Sequence, residues 1–171
     1  MFPQQRRNVP FGNFQARRAS EAARQRVVAN TSGGRFQGAN NNRRSYFDAL
    51  QRWRHERHDS NWWRQHFTNI VLVNYGYYYC DAGYWYPAFG YDPANDSYDY
   101  AGPIYTYGDL LPDQMIANVQ SALQDEGYYS GPVTGSLTSD TRAAIVRYQA
   151  DYGLIITGAI DEPTIEALGL N

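Results

Sequence analysis

The chain has 171 residues, enough for one ordinary domain or two small ones, and its 15 positive charges are all Arg. The net charge of −2 conceals a division: residues 1–70 hold 13 Arg against 4 acids, net +9, whereas residues 71–171 hold 2 Arg against 13 acids, net −11. A single cysteine, Cys80, excludes an intrachain disulfide and a cysteine-rich zinc site, and no run reaches the length of a membrane-spanning helix.

Residues 1–43 are rich in Arg, Asn, Gln and Gly and read as a flexible arm with one short helix around Ala19–Val28. Such a basic segment can bind nucleic acid, anionic lipid, an acidic polymer or an acidic protein surface. The acidic C-terminal half of the same chain or of a neighbour is the favoured partner, and nucleic acid is the weaker reading because no nucleic-acid-binding fold accompanies the arginines. The opening Met1-Phe2-Pro3-Gln4-Gln5-Arg6-Arg7 lacks the apolar stretch of a secretory signal.

Residues 44–69 are expected to form short helices. Tyr46, Phe47, Leu50 and Trp53 recur at helical spacing after Ser45, giving a helix from Ser45 to about Arg57, and Asp59 or Ser60 can cap a second one carrying Trp62, Trp63, His66 and Phe67. Residues 70–108 follow as a Tyr-rich β-hairpin and linker. The run from Ile70 to Tyr79 is β-branched and aromatic, Asp81-Ala82-Gly83 supplies turn chemistry, and Tyr84-Trp85-Tyr86 returns. Pro87, Gly90, Pro93, Gly102 and Pro103 then make 88–108 irregular. Between Tyr75 and Tyr107 there are 11 Tyr in 33 residues, which serve as core, as a glycan platform or as a subunit interface, with core plus interface favoured.

Residues 109–171 read as three helices. Asp113 caps the first, with Met115, Ile116, Val119 and Leu123 on one face and a stop at Gly127; Thr138 or Ser139 caps the second, which ends at Gly153; the third begins at Asp161 and stops at Gly169. An internal echo accompanies them: Thr134-Gly135-Ser136-Leu137-Thr138-Ser139-Asp140-Thr141 matches Thr157-Gly158-Ala159-Ile160-Asp161-Glu162-Pro163-Thr164 position by position.

Val119-Gln120-x-x-Leu123, Gly127 to Val133, Thr141-Arg142-Ala143-Ala144-Ile145, Tyr148-Gln149, Gly153-Leu154, Thr157-Gly158, Ile160-Asp161 and Thr164 together resemble the peptidoglycan-binding domain of bacterial wall hydrolases and envelope proteins. The pattern departs from the family at Thr134, where Asp is frequent, and at Thr138, where Gly is. The resemblance implies a three-helix wall-binding module, so the fold class is mainly α with the Tyr-rich hairpin, short helices and arm before it. It also implies peptidoglycan as partner and a periplasmic or cell-wall location, reached by an export signal removed from or missing in this sequence. Tyr128, Tyr129, Arg142, Tyr148 and Gln149 are the ligand candidates, because sugars favour an aromatic platform and peptide stems favour amide and guanidinium partners; Tyr148 is read equally as a core residue.

Catalysis is not expected. His55, His58 and His66 have no metal-site spacing, Cys80 lacks a nucleophile context, and the acids Asp96, Asp99 and Asp109 fall in a turn-rich stretch, so no metal and no cofactor is assigned. Cys80 is either a buried inert thiol or one half of an intermolecular disulfide. The function expected is a non-catalytic cell-envelope protein bound to peptidoglycan. The alternative is a self-assembling structural subunit, a homo-oligomer that uses the basic arm and the Tyr-rich segment for its contacts.

Overall fold

A computed structural model of the chain describes residues 46–170, so the arm at 1–43, its short helix and the cap expected at Ser45 lie outside the described residues. In chain order the described elements are α1 (Tyr46–Arg52), α2 (Ser60–His66), β1 (Ile70–Val73), β2 (Gly76–Asp81), β3 (Tyr84–Pro87), β4 (Ile104–Tyr105), α3 (Pro112–Asp125), α4 (Ser139–Asp151) and α5 (Glu162–Leu168). The C-terminal module is helical as expected, whereas the middle of the chain is organised by an antiparallel sheet of order β1-β2-β3-β4.

The first helix stops at Arg52, earlier than its apolar spacing predicts. Arg54 N–H, which would have continued it, donates to the Tyr79 hydroxyl at 3.5 Å, and the chain just beyond is held by tertiary partners. His58 N–H donates to Phe89 O at 3.0 Å, and the indole N–H of Trp63 reaches both His58 O and Phe89 O at 3.0 Å. Gly90 lets this crossing close up, since a Cβ there would lie 2.6 Å from Arg57 Cγ and 2.9 Å from His58 O. The second helix keeps its expected cap, Asp59, whose carboxylate accepts from Trp62 N–H at 2.9 Å.

The apolar run from Ile70 to Tyr79 is two strands rather than one. They turn at Asn74-Tyr75, with Val73 opposite Gly76, and Asn74 takes the left-handed φ of 55° that asparagine tolerates better than most residues. The expected turn after Asp81 is present: Ala82 and Gly83 both have positive φ, as a tight two-residue hairpin of the primed type requires. The stretch 88–108 is irregular but adds a fourth strand through Ile104–Tyr105 and a bridge between Gly76 and Asp96.

Alternation along β2 and β3 sends successive aromatic residues to opposite faces. Tyr79, Tyr84 and Tyr86 pack with Trp63, Ala49 and Ala88 on the side of α1 and α2. Tyr78 and Trp85 join Val73, Tyr100 and Ile104 in one core with Met115, Val119, Leu123, Ile145 and Tyr148 of the module. The sheet is thus the middle layer between two helical layers. Tyr105 N–H donates to Ile160 O at 2.9 Å, which adds a backbone tie between β4 and the module.

Most tyrosines of the sheet are core residues, and burial raises their phenol pKa values. Tyr79 is pushed up to about 12, and Tyr78, Tyr84, Tyr86, Tyr98 and Tyr100 are pushed higher still, in each case mainly by loss of water. The folded state therefore holds protons that the unfolded chain releases near pH ~10. Stability is unaffected below that pH and declines as pH rises above it, because the unfolded state then binds fewer protons than the folded one. In an alkaline titration the phenolate absorbance of these residues should appear only with loss of the folded circular-dichroism signal. All tyrosines ionising together near ~10 in a folded protein would contradict their burial.

Candidate functional site

The module is built on two loops held in the same way by two glutamines. Gln120, fully buried on α3, accepts from the backbone N–H groups of Thr134 and Gly135 at 2.8 and 2.9 Å. Its amide nitrogen donates to Ser136 O at 3.0 Å and to Thr141 Oγ1 at 3.0 Å. Gln149, fully buried on α4, repeats the pattern one loop later. It accepts from Thr157 and Gly158 N–H at 3.0 and 2.9 Å and donates to Thr157 Oγ1 and Thr164 Oγ1, both at 2.9 Å, and to Ala159 O at 3.3 Å. The sequence echo is therefore two copies of one glutamine-clamped loop, each leading into a helix capped by its own side chain, Thr138 for α4 and Asp161 for α5.

Helix stops at Gly127, Gly153 and Gly169 occur where expected, each with positive φ. The start of α3 differs: the N-cap is Leu111, with Pro112 at the first helical position, and Gln114 Oε1 accepts from Leu111 N–H at 3.0 Å. Asp113 lies inside the first turn, where its charge complements the helix N-terminus.

The five ligand candidates do not form one site. Tyr148 and Gln149 have no exposed surface, so in this conformation they meet only protein. Tyr148 sits in the core, its ring stacked on Tyr152 at 4.1 Å and met edge-on by Tyr128 at 5.2 Å. Arg142 is half-buried at the seam with the sheet: its Nε donates to Gly158 O at 2.9 Å and its guanidinium lies 4.9 Å from the centre of the Tyr100 ring. Tyr100 in turn shares a hydroxyl hydrogen bond of 2.9 Å with Tyr46. Arg142 and Gln149 thus hold the C=O and the N–H of Gly158, in the two peptide groups that flank its Cα.

Tyr128 and Tyr129 are half-buried on the loop that follows α3. Tyr128 donates to Asp151 Oδ2 at 2.9 Å, and Tyr129 donates to Pro132 O at 3.0 Å. Gly131 has no room for a Cβ, which would lie 2.5 Å from the Tyr129 hydroxyl oxygen, and exposed Arg147 donates to Tyr128 O at 2.8 Å. Sequence reasoning did not single out Arg147, although it lies on the helix that carries Arg142 and Gln149. The loop is consequently a braced surface with two aromatic edges and a cation beside it.

Residues 112–168 match the family model described as a putative peptidoglycan binding domain. The C-terminal module is a member of that family. A similar protein is N-acetylmuramoyl-L-alanine amidase CwlM of Mycobacterium tuberculosis (strain ATCC 25618 / H37Rv), 34% identical over 64 residues, which is 37% of this chain and 16% of that protein. The chain therefore matches a small part of its relative's length. No solved structure matches.

A peptidoglycan-binding domain supports a role at the bacterial cell wall. No described helix is long and apolar enough to cross a membrane. Outside the domain, His58 and His66 stack on Trp62 at 3.7 and 3.9 Å between ring centres, and His58 Nε2 lies 3.0 Å from Glu56 Oε2. Among the described residues no group of three His, Cys, Asp or Glu is placed to hold a metal ion. Cys80 is half-buried on β2, and loss of water pushes its thiol pKa up.

Proposed function

We propose that the protein is a non-catalytic component of the bacterial cell envelope that attaches to peptidoglycan through residues 109–171. The observation that carries this reading is the family match of 112–168, on a module whose two loops are both fully clamped by their glutamines. The contact surface is the braced 127–133 loop with Tyr128, Tyr129 and Arg147. Its tyrosines offer ring surface at low entropic cost, and the guanidinium suits the carboxylates of the peptide stems. The segment shared with the amidase is the domain, so the hydrolytic activity in that protein's name gains no support here. A half-buried thiol with a raised pKa is a poor nucleophile, in keeping with the non-catalytic reading. Attachment to the wall places the protein outside the cytoplasmic membrane.

Sedimentation with purified insoluble sacculi tests the reading. The full chain should pellet with them at modest salt, and Tyr129→Ala should pellet less while keeping its helical signal. A wild-type chain that stays in the supernatant would remove the wall-binding function.

A further inference from the structure

A shallow, open cleft that encloses about 40 Å³ lies where the sheet meets the peptidoglycan-binding domain. One wall is the β1-β2 turn with residues 97–100, and the other is the start of α3 with the loop 135–137. Both walls are fixed. Ser97 N–H donates to Tyr75 O at 2.9 Å, Gly76 bridges to Asp96, and Tyr98 donates its hydroxyl to Tyr77 O at 3.0 Å. Gly76 is required for this approach, since a Cβ there would meet the Tyr98 ring at 2.5 Å. Across the cleft, Gln120 fastens Thr134, Gly135 and Ser136.

Its contents are specific in chemistry. Apolar Ile104 and Ile116 line the interior, while the side chains of Asn74, Ser97 and Asp99 make no hydrogen bond or ion pair among the described residues. Tyr75 stands at the rim with 73% of its surface exposed, by far the most exposed aromatic side chain among the described large hydrophobics. It is held there by a turn whose preceding residue, Asn74, occupies the left-handed region. Among the described residues no arginine lines the cleft, and its carboxylate disfavours anions. A pyranose ring presents an apolar C–H face for an aromatic ring, with hydroxyl and N-acetyl N–H donors around its edge, and this cleft offers a ring, a carboxylate, an amide and hydroxyls.

We infer that the cleft binds an amino-sugar unit of a glycan strand, with Tyr75 stacking on the pyranose face and Asp99 accepting from a hydroxyl or amide N–H of the sugar. The strand's identity as peptidoglycan rests on the wall-binding reading above, whereas the glycan class rests on the cleft. The sheet and the domain then form one composite surface, and the sheet contributes directly to binding.

The test titrates the full chain with a β-1,4-linked N-acetylglucosamine tetrasaccharide, following binding by calorimetry, with sacculus sedimentation in parallel. Tyr75→Ala should weaken tetrasaccharide binding about three- to tenfold, the range of one aromatic contact, while Tyr75→Phe stays near wild type. Asp99→Ala should weaken it by a similar factor. Tyr75 and Asp99 are exposed, so all three variants should keep the wild-type unfolding midpoint. If the wild-type chain pellets with sacculi but ignores the tetrasaccharide, or binds it equally well with Tyr75→Ala and Asp99→Ala, the cleft proposal falls and wall binding stands. If a free stem peptide, and not the tetrasaccharide, shows the dependence on Tyr75, the ligand class is wrong. Tyr75-dependent tetrasaccharide binding without sacculus binding would uphold the cleft and remove the wall reading.

Discussion

Gln149→Ala is expected to destabilise the folded state by about 3–5 kcal/mol, read as a shift of the urea midpoint. The side chain has no exposed surface; it accepts from two backbone N–H groups, and its two amide hydrogens are shared among three acceptors. Alanine would leave the N–H groups of half-buried Thr157 and buried Gly158 without their acceptor, and an orphaned buried donor costs about 1–3 kcal/mol. Thr157 and Thr164 retain other partners in Asp161, which limits the loss. Gln120→Ala should cost a comparable amount, because its contacts to the 134–141 loop have the same pattern. A loss below about 1 kcal/mol would show that water substitutes for the amide. The same variant separates two roles for Gln149. As a clamp, it changes how much protein is folded, and the folded fraction still pellets with sacculi. As a ligand contact, it would abolish pelleting in a protein that remains folded.

The clamp was half legible in the sequence. The echo between 134–141 and 157–164 and the caps at Thr138 and Asp161 follow from turn and capping chemistry that is local in the chain. The partner of each loop is not local: Gln120 lies 14 residues before Thr134, and Gln149 lies 8 before Thr157. A Gln on each preceding helix was the available signal. Gln149 drew a ligand reading because amides suit peptides, but burial directs that amide to its own backbone.

The sheet was harder to read because tyrosine is both apolar and polar. In Tyr77-Tyr78-Tyr79 every position is aromatic, so the period-two contrast that marks a half-buried strand is absent although the side chains do alternate between two cores. The turn at Asn74-Tyr75 was hidden for a related reason. Its second residue is an exposed aromatic where a glycine would have announced a hairpin, and the glycine instead follows at Gly76. The first helix ended early through contacts with Phe89 and Gly90, which no local pattern encodes. The features that escaped the sequence, the Asn74-Tyr75 turn and the packing of 96–98 on Gly76, are the ones that build the cleft.

Trp85→Ala should lower stability by about 3–5 kcal/mol, and it should do so for the sheet and the peptidoglycan-binding domain together. Trp85 is only 3% exposed at the centre of β3, between Cys80 on β2 and Ile104 on β4, and it belongs to the core that contains Met115, Leu123 and Tyr148. Its indole N–H donates to Leu110 O at 3.0 Å, fixing the chain just before α3 begins. Removing the ring opens a cavity shared by both layers, so neither can be rebuilt without the other. Near-ultraviolet circular dichroism follows the aromatic sheet and far-ultraviolet ellipticity follows α3, α4 and α5. The two midpoints should coincide in wild type and move by the same amount in the variant. Trp85→Phe, which keeps most of the packing and loses the hydrogen bond to Leu110, should cost about 1–2 kcal/mol with the same coincidence. A helical transition that stays at its wild-type midpoint while the aromatic signal melts early would make the sheet an independent unit. The cleft between them would then lack the rigid wall on which a composite glycan site depends.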